Sequence, residues 1–140
     1  MQKDNSVTTL DFTSIQLYNI VIDVESYPLF LPWCLSSKII SKVNKNNFDA
    51  SLTVGYKAID EKYTSRIEAV FSKKIRSYAI SGPFKCLDSN WAFNDINNNQ
   101  CEVEFKIEYE FKSFFLDKVM GSLFKKATFK MLEAFERRAF

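Results

Sequence analysis

Residues 102–111 read Glu102-Val103-Glu104-Phe105-Lys106-Ile107-Glu108-Tyr109-Glu110-Phe111, and apolar and charged side chains alternate along the whole run. Successive strand residues point to opposite faces, so this is a β-strand with one dry and one wet face. The period then changes. From Phe114 to Phe140 there is no proline, and Leu116, Met120, Leu123, Ala127, Met131 and Ala134 recur at steps of three and four. Val119, Phe124 and Phe135 widen that stripe, which predicts a long helix burying a broad face. A sheet with one dry face, followed by one long amphipathic helix, packs with the helix over the sheet.

Upstream, Phe48, Ala50, Leu52, Val54 and Tyr56 alternate with Asp49, Ser51, Thr53 and Gly55 in the same way. Tyr63–Phe71, Lys74–Ser81 and Cys86–Phe93 read as further strands, and Lys38–Lys45 precedes them across an Asn-rich turn. The connections leave no room for crossover helices, so an antiparallel meander is expected. Asp11 or Thr13 caps a first helix predicted to run to about Val24. Pro28 and Pro32 then break the chain, leaving the apolar, kinked segment Tyr27-Pro28-Leu29-Phe30-Leu31-Pro32-Trp33-Cys34. The predicted order is α+β: a helix, six or seven antiparallel strands, then the long helix. With no internal repeat or linker, residues 1–140 read as a single domain.

Absences narrow the chemistry. The sequence has no histidine, which excludes His-based triads, His general bases and His-ligated metals. Its three glycines, Gly55, Gly82 and Gly121, are too scattered for a phosphate-cradling loop. The three cysteines, Cys34, Cys86 and Cys101, form no C-x-x-C pair and match no zinc module; they read as free thiols of a reducing compartment. A net charge of +2 implies no nucleic-acid partner, and no DNA binding is expected. The first residues show no signal or transit pattern, and no stretch approaches a membrane span, so a cytoplasmic location is expected.

Three groupings invite functional readings. Glu102, Glu104, Glu108 and Glu110 lie on the wet phase of their strand, where carboxylates are solvated rather than catalytic. Lys125, Lys126, Lys130, Arg137 and Arg138 make one helix face basic, suited to solvent, RNA or anionic lipid. Tyr27–Leu35 either plugs the end of the core or rims an apolar cavity between sheet and helix. A cavity lined by Phe, Leu, Met and Tyr suits a lipid-like ligand rather than a sugar or nucleotide.

The segment Asp23-Val24-Glu25-Ser26-Tyr27-Pro28-Leu29-Phe30-Leu31-Pro32-Trp33-Cys34 resembles the signature of the coenzyme-Q-binding START-like family. The likeness continues through Tyr63-Thr64-Ser65-Arg66, Gly82-Pro83-Phe84-Lys85, Trp91-Ala92-Phe93, the strand ending at Phe111, and Phe124-Lys125-Lys126 in the helix. It implies a helix-grip fold, a curved antiparallel sheet wrapped around the C-terminal helix with an apolar tunnel between. It also implies non-enzymatic binding of ubiquinone or a similar polyprenyl lipid in support of respiration, at the inner face of the respiratory membrane. On that reading Phe30, Leu31 and Trp33 form the rim. Leu52, Val54, Tyr56, Trp91, Phe93, Phe105, Ile107 and Tyr109 line the wall, and Val119, Met120, Leu123, Phe124 and Met131 line the helix side. Tyr63 or Arg66 meets the quinone oxygens. Bacterial members are also described as toxins of the large ribosomal subunit, a role for which Lys125, Lys126 and Lys130 are the candidate contacts.

Overall fold

A computed structural model describes residues 2–56 and 59–139, without the side chains of Tyr56, Ile59 and residues 119–124. Seven strands form one antiparallel sheet: β1 (Gln2–Leu10), β2 (Cys34–Asn44), β3 (Asn47–Tyr56), β4 (Ile59–Val70), β5 (Lys74–Ser81), β6 (Phe84–Asn97) and β7 (Gln100–Phe111). Helix α1 (Ser14–Ile22) and a 3-10 helix (Val24–Leu29) lie between β1 and β2, and helix α2 (Phe114–Ala139) ends the fold. The spatial order is β1-β7-β6-β5-β4-β3-β2, so consecutive strands from β2 to β7 are neighbours and β1 and β2 are the open edges. Register shifts within the β2/β3, β4/β5 and β6/β7 ladders mark bulges, the device that bends a sheet. The architecture is the α+β helix grip.

Two expectations about the N-terminal third are corrected. The chain begins with a strand rather than a helix: β1 pairs along β7 from Gln2 opposite Tyr109 to Leu10 opposite Cys101. Its sequence is polar because an edge strand draws its order from the ladder of its neighbour. Helix α1 also stops at Ile22 instead of Val24. Asp23 leaves helical geometry (φ −79°, ψ 69°), and the chain tightens into the 3-10 helix that contains Pro28.

The start of α1 is fixed twice. Gln16 N–H donates to Thr13 Oγ1 at 3.2 Å while Thr13 N–H donates to Gln16 Oε1 at 2.9 Å, a reciprocal capping box. Ser14 then donates its backbone N–H and its hydroxyl to Asp95 on β6, at 2.8 and 2.6 Å. These bonds hold α1 against the sheet, where Leu17, Tyr18 and Val21 enter the core. The dry phase of β7 supplies Val103, Phe105, Ile107, Tyr109 and Phe111 to that core, and α2 supplies Ala134 and Phe135. The β5–β6 turn requires its glycine. Gly82 has φ +121°, and a Cβ there would lie 2.5 Å from Tyr63 Cβ.

Candidate functional site

Because inward side chains alternate along every strand, residues of like parity from neighbouring strands pave one concave face. Between that face, α1 and the C-terminal half of α2 lies a cavity of about 280 Å³. Trp91, Phe93, Val103 and Phe105 form its floor, Ser6, Thr8 and Leu10 of β1 one side, and Leu17, Ile20 and Val21 of α1 another. Phe129, Leu132, Glu133, Phe135 and Glu136 of α2 close it. Trp91 tilts onto Phe105 at 4.5 Å between ring centroids and meets Phe135 edge-on at 5.2 Å. The titratable groups among these lining residues are Glu133 and Glu136, both exposed to water.

Of the residues singled out in the sequence, Trp91, Phe93 and Phe105 line this cavity. Leu52, Ile107 and Tyr109 are buried and half-buried Val54 lies in phase with Leu52, but none of the four lines the cavity. Met131 is half-buried against the core. The side chains of Tyr56, Val119, Met120, Leu123 and Phe124 lie outside the described residues. Phe135, expected on the apolar stripe of the long helix, also closes the cavity, whereas Leu17, Ile20 and Val21 of α1, Ser6, Thr8 and Leu10 of β1, and Phe129 and Leu132 of α2 were not expected there. For α1 the signal is present in the spacing of Leu17, Ile20 and Val21. For β1 it is weak, because Ser6 and Thr8 face inward where an apolar phase would be expected.

Arg66 requires correction. Tyr63, Ser65 and Ile67 share the inward phase of β4, so Arg66 projects from the opposite face. There its guanidinium grips Asp49 of β3 through two bonds of 3.0 and 3.2 Å and faces water. It cannot reach anything held on the concave side. Tyr63 does face inward, edge-on to Phe84 at 5.3 Å, and burial pushes its phenol far above the usual range. Beside it the concave face carries a line of hydroxyls that sequence reading passed over. Ser65 Oγ and Ser77 Oγ are 2.5 Å apart, and Ser89 Oγ donates to the Ser77 carbonyl at 3.4 Å.

The proline-broken segment does two things at once. Tyr27 and Phe30 plug the core end, each meeting Phe135 edge-on at 5.4 Å, while the Tyr27 hydroxyl donates to the Val21 carbonyl. Pro28 to Pro32, with Lys130, Glu133 and Arg137 of α2, border an open cleft of about 530 Å³ on the outer surface. Trp33 takes a left-handed backbone (φ 65°), and Gly55 N–H donates to its carbonyl at 2.9 Å. Next to it, burial pushes the Cys34 thiol up to about 11, the reverse of what a nucleophile needs. Lys125, Lys126 and Lys130 are all exposed. Among the described residues no group of His, Cys, Asp or Glu is arranged to hold a metal, and no helix is long and apolar enough to cross a membrane.

Comparison with known proteins agrees with this geometry. The family described as "Polyketide cyclase / dehydrase and lipid transport" matches residues 11–136. The chain belongs to that family. One relative, the ribosome association toxin RatA of Rickettsia prowazekii, is 40% identical over 134 residues, covering 93% of this chain and 90% of the toxin. A second, the mitochondrial coenzyme Q-binding protein COQ10 of Dictyostelium discoideum, is 36% identical over 126 residues, 88% of this chain but 62% of that longer protein. Both are named for binding or toxicity rather than for a reaction. Among solved structures, a START superfamily protein from Mycobacterium smegmatis superposes with a TM-score of 0.83 over 98% of this chain and 96% of its own; at 14% identity it shows the shared START-like fold.

Proposed function

We propose that this protein is a non-catalytic binder of a polyprenyl quinone, ubiquinone or a close analogue, that supports respiratory electron transport at the inner face of the membrane. The observation that carries the reading is the cavity floored by Trp91, Phe93 and Phe105 and roofed by α2. The name of the coenzyme Q-binding relative supports it. Removing each isoprenoid methylene from water contributes about 0.8 kcal/mol, so a tail segment binds with little polar help. Ligand pockets usually measure about 300–1,000 Å³, so this cavity takes a part of a long lipid and leaves the remainder outside. The quinone carbonyls would accept hydrogen bonds from Tyr63 or from the Ser65, Ser77 and Ser89 hydroxyls, in the role that Arg66 cannot fill.

Solvent extraction of protein purified from a quinone-making bacterium, followed by mass spectrometry, tests the reading. Near-stoichiometric quinone is expected in the native protein, with most of it lost in Leu132→Trp, which fills the cavity while keeping the circular dichroism spectrum. A folded native protein that carries no quinone would sink the proposal. A second reading, association with the large ribosomal subunit, is favoured by the relative named for that role and by the exposed Lys125, Lys126 and Lys130.

A further inference from the structure

At the end of the sheet where β7 passes into α2, two consecutive phenylalanines stand in water: Phe114 is 83% exposed and Phe115 70%. Rings exposed side by side to this extent mark a contact surface more often than a random apolar residue does. They are held firmly. Lys112 N–H donates to the Pro83 carbonyl at 2.8 Å, tying the junction to the β5–β6 turn. Ser113 caps the helix, its carbonyl accepting from Asp117 N–H at 2.9 Å and its hydroxyl from Leu116 N–H at 3.2 Å. Asp117 in turn aims its carboxylate at Phe111 N–H, 3.4 Å away.

The charges around the rings are lopsided. Glu110 faces Lys85 at 3.9 Å, and the Asp117 carboxylate is engaged with backbone. Lys112 and Lys118 are exposed and, among the described residues, have no ion-pair partner. Paired aromatic rings flanked by two exposed lysines complement a bilayer surface, where rings sit at the headgroup level and cations meet anionic lipid. Directly behind the patch, Phe111 tilts onto Phe84 at 4.8 Å between centroids and Tyr63 meets Phe84 edge-on at 5.3 Å, an apolar path toward the concave face. We infer that the Lys112–Lys118 tip is a docking surface for anionic membrane, with Phe114 and Phe115 entering the interface. The inference rests on the membrane location in the proposed function and deepens it by naming the surface that meets the lipid.

Flotation of the full chain with vesicles tests it, comparing phosphatidylcholine alone with a phosphatidylcholine–phosphatidylglycerol mixture. The native protein is expected to float with the anionic vesicles and to be released at high salt. Phe114→Ser/Phe115→Ser should lower the partition coefficient by about tenfold per ring, and Lys112→Gln/Lys118→Gln should remove the preference for phosphatidylglycerol. All the substituted side chains are exposed, so circular dichroism should not change. Equal flotation of the native and phenylalanine-substituted chains would overturn the inference. So would self-association that depends on the two rings without vesicle binding, which would give the patch to a second copy. Quinone content measured in the same preparations separates the two proposals. A chain that floats without quinone keeps the docking surface, and a quinone-loaded chain that does not float loses it.

Discussion

The Asp95 carboxylate accepts two hydrogen bonds from Ser14, from the hydroxyl and from the backbone N–H, and these hold its pKa below the ordinary carboxylate range. A depressed folded-state pKa stabilises the fold above the unfolded value, about 3.9, and the contribution fades as pH falls through the lower folded value. Asp95→Asn is therefore expected to melt below the native protein at pH 7, with the gap closing in acid. Thermal melts across that range check it, and a gap independent of pH would mean that the charge takes no part. The Arg66–Asp49 pair is a different case. It sits on the outer face, where water and salt screen the attraction, so what it contributes rests on its bidentate geometry rather than on burial.

Helix α2 is anchored near its C-terminal end by Phe135, which meets Tyr27, Phe30 and Trp91 edge-on at 5.2 to 5.4 Å. Phe135→Ala should cost about 3–5 kcal/mol, read as a lower urea midpoint, and should loosen the proline-broken segment as well as the helix. A loss below 1 kcal/mol would show that the three partners close over the space. The elements differ in how far the sequence announces them. Strand β7 is legible because every second residue is apolar and every other one polar, so period and facing agree. Strand β1 is not, because an edge strand with Ser6 and Thr8 turned inward carries no hydrophobic period and draws its order from a partner about a hundred residues away. The candidate site is legible where aromatic residues mark the inward phase, at Trp91, Phe93 and Phe105. It fails at β4, where Ser65 occupies an inward position. Parity alone separates Tyr63 from Arg66, three positions apart and hence on opposite faces, but parity has force only once the strand is certain.

At the scale of the whole molecule, the face carrying Lys125, Lys126 and Lys130 and the exposed Phe114–Phe115 pair lie at different parts of one helix. Lys125 and Lys126 follow the Phe114–Phe115 tip by about three turns and Lys130 by about four. If the helix face reads ribosomal RNA, reversing those three lysines to glutamate should abolish co-sedimentation with the large subunit. The native interaction should also weaken steeply with added salt, since each neutralised phosphate releases counterions. Co-sedimentation indifferent to both would remove the lysines from that role. Vesicle flotation of the same variant should still depend on Phe114 and Phe115, because the Lys112–Lys118 tip is left in place.

The pairing of β1 with β7 also sets an order of events during synthesis. Gln2 lies opposite Tyr109, so β1 leaves the ribosome about a hundred residues before its partner and stays unpaired until β7 has been made. While it waits, β2 to β6 can pair with their neighbours as each emerges, and the nascent chain grows as a meander open at its leading edge. Closure of the sheet is thus a late, long-range step that carries the entropy of a very large loop, and it falls after translation of β7 rather than during it.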